Sequence, residues 1–345
     1  MKLTLPSRRA ACAPTSVDAS YRRTTNRIGA VLVLFIVLFD MIGLFFLPID
    51  GLLEYLLPED AARAAVDLLD SLEYLLSFLL PGVLFYLITP RRERVPLQLS
   101  PRMPRGTVWL IFIGMMAITM TALINNWMVS LFEYGKFSSE VLWNTSTLMD
   151  YEGVLLFVST AIVPAFCEEF LFRGVICNSL RPYGKTVAVI GSAVLFGLMH
   201  QNVGQLLYTT VAGLVLALIY VETRSIWAPI LLHLFNNLSS VVYDIVSERL
   251  DRVSANRLLA LIDAIVIGLG LVSLLVLIIK AERAASRGER VLLLGGGWQE
   301  DATCGVPSPT RRLRDFFSPM MLLFWALAIG HMIWLLSYAI RYAYG

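Results

Sequence analysis

The sequence predicts an all-α fold: a polytopic membrane helical bundle of about nine transmembrane helices, with its N-terminus cytoplasmic. Composition is the first reason. Of 345 residues, 57% are hydrophobic and 16% charged, and the mean hydropathy is +0.70. Soluble domains carry about 45–50% apolar and about 25% charged residues, so a cytosolic enzyme, a disordered chain and a disulfide-stapled miniprotein are all excluded. The second reason is a series of nine apolar stretches, and the third is positive charge that returns on every second loop between them.

The stretches run near 28–49, 72–89, 107–131, 153–172, 186–200, 204–221, 226–243, 259–279 and 319–340. The fifth is short for a span, so it tilts little or shares its ends with buried protein. Residues 1–27, with Lys2, Arg8, Arg9, Arg22, Arg23 and Arg27, read as a disordered cytoplasmic tail. Loop one is acidic (Glu54, Glu59, Asp60, Asp67, Asp70) and loop two basic (Arg91, Arg92, Arg94, Arg102, Arg105). The third loop is acidic again (Glu133, Glu140, Asp150), while Arg173, Arg181 and Lys185 follow span four. That alternation is the positive-inside pattern of a nine-span, N-inside chain. Residues 28–104 form the first two helices, 105–245 the candidate catalytic core and 246–280 the eighth helix. Residues 281–318, with Gly295, Gly296, Gly297, Pro307 and Pro309, read as a cytoplasmic linker to an appended ninth helix in 319–345.

With 28 Lys+Arg against 26 Asp+Glu, no global basic field invites nucleic acid. The four cysteines (Cys12, Cys167, Cys177, Cys304) form no CxxC pair, so neither a disulfide framework nor a thiolate metal site is indicated. Cys167 reads as a small buried helical residue.

Ionisable side chains inside spans are costly and point to function. Span four carries Glu168, Glu169 and Arg173; span five ends at His200; span seven carries His233, Asn236 and Asn237; Asp40 and His331 stand alone in spans one and nine. Adjacent helical residues point about 100° apart, so Glu168 and Glu169 face different partners. Arg173 lies four residues after Glu169, the spacing of a helical ion pair. That assignment leaves Glu168 for chemistry. His233 and Asn237 share one helical face, whereas His331 reads as a packing or interfacial residue. At about 1.5 Å per residue, His200 lies some 20 Å deep and His233 about 13 Å. The two meet only if span five tilts or begins outside the hydrocarbon.

A carboxylate in a low-dielectric cavity is suited to general-base work near neutral pH. With an imidazole it can deprotonate one water, while a second imidazole and a carboxamide stabilise the resulting oxyanion. Together these hydrolyse a peptide bond without a covalent intermediate. Glu168, His200 and His233 could instead ligate Zn²⁺ and act through a metal-bound water, although their spacing is not HExxH. A transporter or proton relay using the same residues is the competing class. The missing internal repeats argue against it.

EExxxR (Glu168, Glu169, Arg173), FxxxH (Phe196, His200) and HxxxN (His233, Asn237), in that order on successive helices, resemble the CPBP intramembrane proteases. That family includes the type II CAAX prenyl endopeptidases and relatives linked to bacteriocin self-immunity. The resemblance covers roughly 105–245. It implies that Glu168 and His200 activate the water and that His233 and Asn237 make the oxyanion hole. Glu169 and Arg173 would support them, with Asn236 a second carboxamide beside Asn237. The family is described as metalloprotease, yet the implied site resembles that of a glutamate-dependent protease, for which no cofactor is required and zinc is the alternative. The implied substrate is a lipidated or membrane-embedded peptide cut near its C-terminus. The implied setting is a bacterial plasma membrane.

Overall fold

The computed structural model describes residues 14–131, 157–287 and 309–344. Among them the chain is helical and contains no strand. Three long helices come first: α1 (Pro14–Leu56), α2 (Glu59–Ile88) and α3 (Thr107–Leu131). Next is α4, 158–180, a helical stretch of mixed pitch. Its parts are a π turn at Val158–Ile162, an α segment at Val163–Glu169, a second π turn at Phe170–Cys177 and a last turn at Asn178–Leu180. Then come α5 (Lys185–Met199), α6 (Val203–Thr223), α7 (Trp227–Arg249) and α8 (Arg252–Ser286). A short α9 (Pro309–Phe316) precedes α10 (Pro319–Tyr344).

Seven of these helices, α1, α2, α3, α6, α7, α8 and α10, are long and apolar enough to cross a membrane. The fourth and fifth apolar stretches of the sequence become α4, which changes pitch three times, and α5, which has 15 residues. Pro164 explains part of the first change. It has no N–H to donate to the turn before it, and that turn is the widened one.

α4 is the axis of the molecule. Every residue from Leu171 to Asn178 is buried, because α2, α5 and α6 pack around it. A helix apolar on all sides is one enclosed by protein. Outside this centre, α3 and α8 pair on one flank, and α1 pairs with α10 on another. Gly29 permits the second pairing: a Cβ there would stand 2.3 Å from the backbone nitrogen of Met321. Close backbone approach at small residues is how helices associate where lipid removes the hydrophobic drive.

Polar and basic ends gather at one end of the bundle. Arg27 bonds Glu93 at 2.6 Å and Thr24 bonds the Tyr183 hydroxyl at 3.0 Å. Lys185 pairs with Glu222, and Thr25 donates to the Asp315 carbonyl at 2.8 Å. The loop after α2 crosses the same end, where Ile226 donates to the Gln98 carbonyl at 3.1 Å and Asn178 to that of Pro96 at 3.0 Å. The start of α1, the loop after α2, the 181–185 turn and the end of α6 therefore share a side, as the loop charges require.

Two expectations are corrected. Residues 14–27 are not a disordered tail but the first turns of α1. They are held because Tyr21 is buried, with its ring centre 4.9 Å from that of Tyr183. The stretch 281–318 is not all linker. α8 extends to Ser286, and 309–316 is a helix whose Asp315 is buried against α1. Residues 1–13, the acidic Glu133, Glu140 and Asp150 of loop three, Cys12, Cys304, Pro307 and the Gly295–Gly297 run lie outside the described residues.

Candidate active site

Glu168 and Glu169 end the α segment of α4, and the second π turn begins at the next residue. Both are buried, at 4% and 0% exposure. Their offset around the helix does not separate them as far as expected, because they meet opposite nitrogens of one ring. Nδ1 of His233, on α7, lies 2.9 Å from Glu169 Oε1, and its Nε2 lies 3.9 Å from Glu168 Oε2.

Glu169 Oε1 also accepts from Arg173 Nη1 at 2.7 Å. Arg173 donates from Nη2 to the Gly213 carbonyl of α6 at 3.1 Å, and its guanidinium stands 4.5 Å from the centre of the Phe196 ring. A carboxylate this deep is tolerable only when paired and hydrogen-bonded, and Glu169 is both. The ion pair thus sits where the spacing in the sequence predicts it, with one partner the spacing did not reveal, His233.

A carboxylate only accepts, so the proton of neutral His233 rests on Nδ1 and the Nε2 lone pair faces Glu168. His233 donates from Nε2 only as an imidazolium. His200 caps α5, and its Nδ1 lies 2.8 Å from the Phe196 carbonyl one turn back. That carbonyl likewise fixes the proton on Nδ1 and leaves Nε2 as an acceptor. Phe196 settles the question of depth. Its ring lies edge-on to both histidines, 4.9 Å from His200 and 6.0 Å from His233 between centres.

The two carboxamides are not equivalent. Asn236 accepts from the Tyr208 hydroxyl of α6 at 2.8 Å and donates from Nδ2 to Asn237 Oδ1 at 3.3 Å. With its oxygen so engaged, Asn237 has its amide N–H groups left to donate, which distinguishes it from its neighbour.

Glu168 is not free of contacts. Tyr74, on α2, donates its hydroxyl to Glu168 Oε1. Oε2 is buried with no hydrogen-bond partner among the described residues. The site therefore presents an unpaired carboxylate oxygen beside the Nε2 lone pair of His233, with His200 packed on the Phe196 ring that His233 also touches. Among the described residues no three His, Cys, Asp or Glu side chains converge closely enough to hold a metal ion. Glu168 and His233 approach each other, but His200 does not complete a zinc set with them.

The remaining candidates lie elsewhere. Asp40 is exposed on α1, His331 packs edge-on to Trp334 at 5.7 Å, and Cys167 is a buried free thiol. Sequence reasoning missed Tyr74 and Tyr208. Nothing marks Tyr74 out from Tyr86 on the same helix, whose hydroxyl bonds a backbone carbonyl instead.

Residues 150–239 match the family model described as type II CAAX prenyl endopeptidase Rce1-like. A protein of Bacillus subtilis (strain 168) named "Putative membrane peptidase YdiL" is 36% identical over 104 residues, covering 29% of this chain and 42% of that relative. The chain thus aligns with less than half the length of the curated relative. No solved structure matches it.

Proposed function

Since residues 150–239 match the Rce1-like family model, and the chain is an integral membrane protein by its apolar helices, we propose that it is an intramembrane endopeptidase. Its substrate would be a lipidated or membrane-embedded peptide cut near the C-terminus, with a prenylated CAAX end as the first class to try. The observation that carries this reading is the Glu168 carboxylate: buried, with Oε2 unpartnered and 3.9 Å from an imidazole nitrogen.

In this mechanism Glu168 Oε2 and His200 Nε2 hold one water. Its oxygen bonds to the scissile carbonyl carbon as its proton passes to Glu168, and the carbonyl π pair moves onto oxygen. Asn237 Nδ2 donates to that oxyanion, joined by His233 Nε2 when the ring carries its second proton. Collapse re-forms the carbonyl and breaks the C–N bond, and Glu168 returns the proton to the departing amine. Glu169 and Arg173 hold His233 and touch no reacting atom. The residues achieve this without a bound ion. The basic end of the bundle would face the cytoplasm of a bacterial plasma membrane, with the N-terminus on that side.

The test uses the full chain in lipid nanodiscs with two quenched fluorescent probes. One is a peptide with an S-farnesyl cysteine fourth from its carboxyl end, and the other is an unlipidated transmembrane peptide. Glu168→Gln should lower cleavage by about 10²–10⁴-fold at unchanged expression, and a zinc chelator should leave the wild-type rate intact. Equal cleavage by wild type and Glu168→Gln overturns the assignment of the base.

A further inference from the structure

Nothing in the family match reaches α2, because the matched segment begins at residue 150. Yet one α2 side chain touches the central carboxylate of the site. The Tyr74 hydroxyl donates to Glu168 Oε1, and its ring is stacked on that of Phe78 with centres 4.6 Å apart. Phe78 is fully buried and packs against Phe35 of α1 at the same 4.6 Å. The hydroxyl is therefore held by a column of rings rather than left to rotate.

The backbone beneath keeps α2 in place. At Gly82, two turns after Tyr74, a Cβ would stand 2.5 Å from the Phe170 ring of α4. Phe170 is the residue immediately after the two glutamates. α2 thus meets α4 at the point where the carboxylates emerge, and Tyr74 is its polar contact with Glu168.

A carboxylate has two oxygens, and a base must present one of them to water. A phenol donor on Oε1 fixes the rotation of the carboxyl group and occupies that oxygen. Oε2 is left buried, without a partner, on the side facing His233 Nε2.

We propose, building on the hydrolytic reading above, that Tyr74 is a positioning residue of the site: its hydroxyl pins Glu168 through Oε1 and so selects Oε2 as the oxygen that takes the proton of the attacking water. The reaction is unchanged in its balance, since Tyr74 keeps its own proton. Helices α1 and α2, outside the matched segment, thereby belong to the catalytic apparatus through one hydrogen bond.

Tyr74→Phe preserves the ring and removes only the donor. In nanodiscs with the farnesylated probe, kcat should fall about tenfold to a hundredfold, the loss expected for one hydrogen bond to a charged group. KM should stay within about twofold and the thermal midpoint should not move. Tyr86→Phe on the same helix serves as the control and should leave kcat unchanged. A second readout needs no turnover. The infrared carboxylate band of Glu168, isolated as wild type minus Glu168→Gln, should shift when the same difference is taken in the Tyr74→Phe background. Unchanged kcat with an unchanged band overturns the proposal, as does a fall in kcat that tracks a fall in the thermal midpoint with no band shift. A shifted band in a protein that cleaves neither probe upholds the Tyr74 contact and removes the protease reading instead.

Discussion

α4 and α8 are built from similarly apolar sequence and end up as opposite kinds of helix. α8 runs unbroken for 35 residues, and most of its large apolar side chains, among them Leu261, Ile265, Leu271, Val272 and Leu275, face outward. α4 changes pitch three times in about two thirds of that length and buries eight consecutive residues. α8 meets lipid and must satisfy only its own backbone. α4 is enclosed by protein from Leu171 to Asn178 and buries both glutamates just before that stretch, so it can carry two carboxylates and a guanidinium that lipid would not tolerate. The contrast teaches that, in this bundle, polar chemistry sits where the helix is least regular. The long regular helices act as its enclosure.

The sharpest way to break the contrast is to remove the charge balance of α4. Arg173→Met leaves Glu169 buried with only the His233 N–H, and loss of one partner of a buried pair costs about 3–5 kcal/mol. Thermal unfolding in detergent should show this as a large fall in midpoint, accompanied by loss of peptide cleavage. Stability near wild type would mean that α4 does not depend on its ion pair.

A smaller effect is expected at the enclosure. Gly29→Ala places a methyl against the Met320–Met321 backbone and should cost about 1–3 kcal/mol through overpacking. Protease accessibility of α10 should rise while cleavage of a peptide probe stays near the wild-type rate. If activity falls in parallel, the flank is part of the working site after all.

The mildest change refines the edge of the centre. Gln201 follows His200 with φ of 51°, a left-handed conformation in a non-glycine residue. Asn202 then caps α6 by accepting from the Gly204 N–H at 2.9 Å. Gln201→Gly should relieve about 1 kcal/mol of backbone strain and raise the thermal midpoint slightly. An unchanged or lowered midpoint would show that the Gln201 side chain contributes more than the turn costs.

Legibility follows the same division. Glu168, Glu169, Arg173, His200, His233 and Asn237 stand out in sequence because each is a polar residue in an apolar run, and their helical spacings carry the geometry with them. The link from Glu169 to His233 is not legible, since it joins α4 to α7 across 64 positions. Tyr74 and Tyr208 are hidden for another reason. A tyrosine is apolar enough to be unremarkable in a span, and only its partner shows what the hydroxyl does. The helical nature of 14–27 is obscured by its charge, which reads as solvated until Tyr183 and α9 supply a surface to pack on. The N-terminal helices attract no attention as site components because their contribution is a single phenol.

The second π turn of α4 has a consequence for how this chain can vary. A π turn holds one residue more per loop of helix than an α turn, so the stretch from Phe170 to Cys177 sets the angular phase between the glutamates and everything that follows. Deleting a single residue there would let the helix relax to ordinary winding. If the wide turn persists instead, the downstream residues swing by about 100°, carrying Arg173 off Glu169 or Asn178 off the loop it anchors. In these eight positions a change in number is more disruptive than a change in kind.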